Sequence, residues 1–432
     1  MMRKIFWLNF LLFSCFLPLN AQKAAASTEA PTSGAAEMRR QSFEKVWTTV
    51  YEKHFDPTFG GVDWRKMREI YEPQALAAKS DAAFNKVLNQ MLGELKLSHF
   101  AVYTPPAADS KFADGVTGIA LKWIDNQPVI NRVSAGSSAE QAGIKTGYVI
   151  KKVGDKTVGE LLAPLEKSFA ERNLTDAQKN LYRQFTLLGF VDGDASAQVK
   201  VEALNGQNQT QTFTMARTER KSEMSEAMGN FPPQEVIFEA KRLENNIGYV
   251  RFNIWVVPQM PKIREAVRSM KDAPGIIFDL RGNPGGIGGM APGIAGYLTD
   301  RQFSLGTMKT RANETKFVAY PQTAAYTGKI VIITDGGSAS TSEVFAAGMQ
   351  ENDRATVVGE RSAGQILVSL FEKLPTGAIF QYAVSDYKSP KNILIEGRGV
   401  IPDAEIKLTR RTLLENRDVQ LEEAIKQIIK EN

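Results

Sequence analysis

Apolar residues recur every three or four positions over residues 38–55 and again over 81–97. In the second stretch Ala83, Phe84, Val87, Leu88, Met91, Leu92 and Leu95 fall on one side. This spacing predicts two amphipathic helices, parted by the turn cluster Asp56-Pro57-Thr58-Phe59-Gly60-Gly61. From residue 117 the pattern changes. Residues 117–121, 128–133 and 148–153 are short apolar runs between polar, glycine-containing turns, and they predict strands. Residues 160–188 read as helical, and 197–203 and 210–215 are expected to complete a small sheet. Beyond about residue 218, strands over 247–254, 275–280 and 329–334 alternate with helices over 261–270 and 340–351. An amphipathic helix near 417–430 ends the chain. Such alternation predicts an α/β layer with parallel crossovers. The expected organisation is a helical domain over 37–104, a small β domain over 105–217 and an α/β core over 218–432.

The first residues change the picture of where the protein works. Residues 1–4 are short and basic, 5–19 are apolar apart from Asn9, Ser14 and Pro18, and Ala21 stands before Gln22. That is the pattern of a secretory signal over 1–21, followed by an Ala/Ser/Thr-rich linker over 22–36. An exported protein, periplasmic or extracellular, is expected. The single cysteine, Cys15, lies inside the signal, so the remaining chain has neither a disulfide framework nor a cysteine nucleophile. Membrane contact is expected only if the segment is retained or Cys15 is lipidated. The net charge of +5, or +3 without Arg3 and Lys4, is interspersed and forms no basic stripe for nucleic acid. Only His54 and His99 are present, and no His/Asp/Glu cluster has metal-ligand spacing, so neither metal nor cofactor is expected.

Candidate chemistry concentrates in two turns. Val331-Ile-Ile-Thr-Asp-Gly-Gly-Ser-Ala-Ser-Thr-Ser-Glu343 runs from an apolar strand through glycines into serines at alternate positions and then a helix. A serine there sits among free backbone N–H groups and the positive end of a helix dipole, which suits an oxyanion on a substrate carbonyl. Three such residues also make good N-caps. Gly275-Ile-Ile-Phe-Asp-Leu-Arg-Gly-Asn-Pro-Gly-Gly286 ends a second strand in a glycine turn, where backbone can approach a ligand closely.

Together, Asp279-Leu-Arg-Gly-Asn-Pro-Gly-Gly286 and Ser338-Ala-Ser-Thr-Ser-Glu343 resemble the C-terminal processing (tail-specific) serine peptidases, a likeness that runs from about residue 115 to the end. The resemblance implies that Ser340 is the nucleophile, with oxyanion donors from Thr341 and from Gly285 or Gly286. It also implies a lysine base 25 residues after the serine, but Gln365 stands there, within a well-matched Val357-Val-Gly-Glu-Arg-Ser-Ala-Gly364 approach. An amide cannot take the serine proton. Leu97-Ser-His-Phe100 is instead similar to the Ser-His motif of the tricorn-core branch of the same superfamily, and Ile395-Glu-Gly-Arg-Gly-Val-Ile-Pro-Asp403 to its glutamate motif. That likeness implies His99 as base, Glu396 as its orienting carboxylate and Ser98 as the fourth member. His54 is expected to pack or to lie on the surface.

Residues 118–121 and Ala139-Glu-Gln-Ala-Gly-Ile-Lys-Thr-Gly147 resemble a PDZ domain of the peptidase-linked kind. This implies that Gly118, Ile119, Ala120 and Leu121 meet a protein or peptide substrate with a free C-terminus, which adds as a strand to the sheet edge. The full expectation is an α/β plus β multidomain chain: an N-terminal helical domain, a PDZ-like small β domain and an α/β peptidase core with a mostly parallel sheet. The alternative is a catalytically inactive pseudopeptidase that holds peptides as a scaffold.

Overall fold

In a computed structural model the described residues are 33–103, 115–169, 174–220, 223–231 and 233–430. The signal over 1–21, Cys15 and most of the linker lie outside them.

A six-stranded sheet forms the C-terminal core, in the order Phe238–Arg242, Gly248–Phe252, Gly275–Asp279, Lys329–Thr334, Thr356–Gly359 and Ala404–Glu405. Only the first strand runs antiparallel to its neighbour. The central strand Gly275–Asp279 is buried at every position, as a parallel strand covered on both faces must be. Its side chains alternate between two apolar layers. Ile276 and Phe278 pack with Ile330, Ile332, Val344 and Phe345 beneath the helices of one face. Ile277 packs with Val331, Ile333 and Ile428 of the terminal helix Val419–Ile429 on the other. Both candidate turns leave the carboxyl ends of adjacent parallel strands, where open α/β sheets bind ligands.

Residues 198–204 and 210–216 do join the strands Ile119–Ile124, Gln127–Val133 and Val149–Val153 in one antiparallel sheet. Strand Ile119–Ile124 is its edge. The single helix expected over 160–188 is two, Val158–Phe169 and Asp176–Val191. A capping box starts the second one: Thr175 and Gln178 each accept the other's backbone N–H, which fixes a helix start inside the expected stretch. The small sheet is tied to the core by Lys122, whose buried ammonium meets Asp335 at 3.2 Å and Glu360 at 2.8 Å.

At the N-terminus the helices Ser33–Lys53 and Asp81–Gly93 are joined by a third, Trp64–Leu76, which its weak apolar period had concealed. Each of Trp47 and Trp64 donates its indole N–H to the other's backbone carbonyl. The helical core is not closed on itself. Phe43, Phe84, Leu88 and Leu92 share one cluster with Leu374, Phe380 and Tyr382 from the far end of the chain. Strand Ala101–Tyr103 pairs antiparallel with Ile379–Lys388, so the loop before it is anchored to the C-terminal half.

At the carboxyl end of the central strand Asp279 is fully buried and ionised. Burial opposes its charge, but Arg281 and Arg251 outweigh it and hold the carboxyl far below the usual range. Arg281 reaches it at 2.9 and 2.6 Å. Asp279→Ala leaves that guanidinium short of its main partner and is expected to lower unfolding free energy by about 3 kcal/mol, read from urea denaturation.

Candidate active site

Ser340 is the N-cap of helix Thr341–Glu351, held at φ 61° and ψ −116°. A non-glycine residue in that region costs on the order of 1–3 kcal/mol, and such strain gathers at functional turns. The three serines of the triplet are not equivalent. Ser338 Oγ donates to Leu280 O at 2.7 Å, and Ser342 Oγ donates to Asn283 O at 3.0 Å while accepting the Trp255 indole N–H at 2.8 Å. Ser340 Oγ, on a residue 0% exposed, has no hydrogen-bond partner. Two serines therefore pin the turn and one keeps a free hydroxyl.

Gly285 lies against that hydroxyl. A Cβ on Gly285, whose φ is +99°, would come within 2.6 Å of Ser340 Cβ and 2.8 Å of its Oγ. The two glycines expected as oxyanion donors differ. The Gly285 N–H is already given to Asn283 Oδ1 at 3.0 Å, so it is not free for a substrate. The N–H groups of Gly286 and Thr341 donate to nothing among the described residues. The Thr341 hydroxyl locks the two turns together by donating to Gly286 O at 3.0 Å. Asp335 fixes the same pair of turns further back, accepting from Gly282 N and Gly337 N, each at 2.9 Å. Burial opposes its charge, and Lys122 with these two N–H groups keeps its carboxyl low.

His99 also has a positive φ, 61°, and is buried. Its Nδ1 lies 2.5 Å from Ser98 Oγ, which donates to Glu396 Oε2 at 3.0 Å, while Ser98 N donates to Glu396 Oε1 at 2.8 Å. The Ser98 proton points to the carboxylate, so that hydroxyl accepts from Nδ1–H. The second nitrogen, Nε2, is then left as an acceptor, and it has no partner. Glu396 therefore reaches His99 through Ser98 and not directly. Burial lowers the His99 pKa to about 3, so the ring is neutral. Burial also raises the Glu396 carboxyl, against the N–H groups of Ile366 and Ser98.

The nucleophile and histidine groups are joined by one strap of backbone. Glu343, in the first turn of the nucleophile helix, accepts from Ser340 N (2.9 Å), Ser362 Oγ (2.5 Å), Gly364 N (2.7 Å) and Gln365 N (3.0 Å). The next amide, Ile366 N, goes to Glu396 Oε2 at 2.9 Å. Adjacent residues thus tie Ser340 to the His99 relay, although Ser340 Oγ and His99 Nε2 do not bond each other. Burial pushes the Glu343 carboxyl up to about 7, against those donors. Sequence reading left Glu343 unassigned, although Ser-x-x-Glu is a capping-box signal. His54 stands apart, stacked on Phe55 and Phe100, with Nδ1 held at the Asp56 backbone. Of the four residues expected at a peptide, Ala120 and Leu121 line the cavity of about 610 Å³ between the small sheet and the core. Ile119 packs into the small domain's core, and Gly118 lies against Ser137.

Gly285→Ala is expected to cut labelling of Ser340 by a fluorophosphonate at least about a hundred-fold, since sub-ångström placement of a nucleophile carries that much rate. His99 predicts an acid limb in stability. Its folded pKa lies below the ordinary 6.5, so between about 6.5 and 3 the unfolded chain binds a proton that the folded one refuses, and stability falls as pH drops. The urea midpoint of the wild type is expected to fall more steeply from neutral to acid pH than that of His99→Asn.

Comparisons with known proteins bear on the chain as a whole. Residues 246–406 match the model for peptidase family S41, and residues 35–93 the model for the tricorn protease C1 domain. The chain is 24% identical over 388 residues to a carboxyl-terminal-processing protease of Synechocystis, covering 87% of this chain and 83% of the relative. It is 26% identical over 392 residues to carboxyl-terminal-processing peptidase 3 of Arabidopsis thaliana, covering 87% and 70%. Its fold is similar to that of a photosystem II D1 C-terminal processing protease, with TM-score 0.57 at 20% identity, over 93% of this chain and 98% of the other. Mature CPAF complexed with lactacystin gives TM-score 0.61 at 14% identity, over 91% and 98%. With an S41 domain over residues 246–406, a tricorn C1 segment over 35–93 and similarity to carboxyl-terminal-processing proteases along most of its length, the chain is a serine peptidase.

Proposed function

We propose that the protein is an exported serine endopeptidase that cuts unfolded or tail-presented protein substrates with Ser340 as nucleophile and His99 as general base. The observation that carries this reading is that two buried atoms, Ser340 Oγ and His99 Nε2, each lack a hydrogen-bond partner among the described residues, with the acceptor tautomer of His99 set by Ser98 and Glu396. His99 removes the hydroxyl proton as Oγ attacks the scissile carbonyl and returns it to the leaving amine. Glu396 offsets the imidazolium charge through the Ser98 hydroxyl. The oxyanion takes the free N–H groups of Thr341 and Gly286, which are prearranged and need no reorganisation. Gln365 has no part in proton transfer, so the lysine of the family's usual dyad is not required. An Nε2 contact that tightens only when substrate enters is ordinary for such sites.

The small β unit serves as a PDZ-like tail-binding domain in this reading. Among the described residues its edge strand Ile119–Ile124 has no strand partner on its outer side, and the cavity beside it runs from helix Asp176–Val191 to Gly282 and Gly337 of the two turns. A peptide added to that edge would run along this cavity toward the two turns. Export is supported by the basic and then apolar segment before Gln22, which has the pattern of a secretory signal.

The test is degradation of fluorescein-labelled casein. Ser340→Ala and His99→Ala are expected to reduce turnover to background. Ser98→Ala and Glu396→Gln each lower kcat by roughly ten- to a thousand-fold, the range of an orienting group within general-base catalysis. Full activity of His99→Ala would remove the histidine from the mechanism.

A further inference from the structure

Three buried side-chain atoms of the site meet no hydrogen-bond partner: Ser340 Oγ, His99 Nε2 and Gln365 Oε1. The first two are accounted for by nucleophile and base. Gln365 is 7% exposed, and its backbone N–H meets the same Glu343 oxygen that receives Ser340 N–H. One carboxylate oxygen therefore separates its backbone from that of the nucleophile. The following amide is held by Glu396, so Gln365 sits between the anchors of nucleophile and base. Its place is fixed on both sides, while its side-chain carbonyl stays unsatisfied.

An unpaired acceptor in such a place fits a donor that arrives with the substrate. A peptide entering the site brings main-chain carbonyls and N–H groups. The scissile carbonyl is met by Thr341 and Gly286. The N–H of the residue supplying that carbonyl loses its water on entry and needs an acceptor. We propose that Gln365 is a substrate-binding residue whose side-chain carbonyl accepts this main-chain N–H, so that the site selects peptides over simple esters. The proposal rests on the Ser340–His99 reading above.

The experiment compares two probes that share the chemistry and differ in the N–H: fluorescein-labelled casein and p-nitrophenyl butyrate. Gln365→Met keeps the volume and removes the acceptor. It is expected to lose roughly five- to thirty-fold in kcat/KM on casein, the worth of about one to two kcal/mol of binding, with KM taking much of the change. Ester hydrolysis and fluorophosphonate labelling stay within about threefold, and Gln365→Glu, which keeps an acceptor, recovers most casein activity. A casein peptide cut by the wild type, remade with an N-methyl group on the residue supplying the scissile carbonyl, is expected to lose the same factor on wild-type enzyme. That arm does not depend on how the variants fold. Equal loss on casein and ester, or no loss on either, overturns the proposal, as does an N-methyl peptide cut at the normal rate. A wild type that turns over neither probe, and so matches Ser340→Ala, overturns the Ser340–His99 reading and this proposal with it.

Discussion

The site depends on a buried carboxylate solvated by neutral donors. Glu343 receives three backbone N–H groups and a hydroxyl, and none of these four donors carries charge. A carboxylate stripped of water is costly to keep unless its lone pairs are filled. Filling them is what forces the nucleophile turn and the loop over residues 362–365 into one geometry. The positive φ of Ser340, the crossing of the two turns and the place of Gln365 all follow from that packing. Glu396 repeats the device on the histidine side through Ser98 and Ile366. Two carboxylates, each dressed by backbone, hold Ser340 and His99, which come from distant parts of the chain.

Much of the architecture was legible in the sequence because it obeys local periods. The run Gly275-Ile-Ile-Phe-Asp279 is apolar at successive positions because helices cover both of its faces, and Lys329–Thr334 coincides with its expected bounds. On helix Asp81–Gly93, Phe84, Leu88, Met91 and Leu92 are buried as their spacing required, whereas Ala83 is exposed. A five-stranded sheet built from Ala101–Tyr103, Phe303–Lys309, Glu314–Ala319, Val368–Lys373 and Ile379–Lys388 was missed. Its strands mix polar and apolar residues, and Ala101–Tyr103 finds its partner only far along the chain, at residues 379–381. No local pattern announces such a pairing.

The candidate site was legible as motifs but not as distances. Ser340, Thr341, Gly286, His99, Ser98 and Glu396 stand at positions that matched familiar strings. What those strings could not convey is which hydrogen bonds are already spent. The Gly285 N–H is taken by a side chain two residues away, and Ser98 stands between His99 and Glu396. Gln365 looked in the sequence like a missing lysine. In the fold it is a buried amide with an open acceptor, a feature only three-dimensional packing can expose.

The bond from Ser98 to Glu396 spans 298 positions, and the strand beside His99 pairs with residues 379–381. Contacts this distant in sequence form late in folding, because the chain must close a long loop before they repay the entropy. A chain synthesised only as far as Ser340 already contains His99, but it lacks the carboxylate that holds Ser98 and the strand that pairs beside the histidine. The surroundings of residue 99 are thus completed last, by residues beyond 378, although the histidine itself is among the first quarter of the chain to be made.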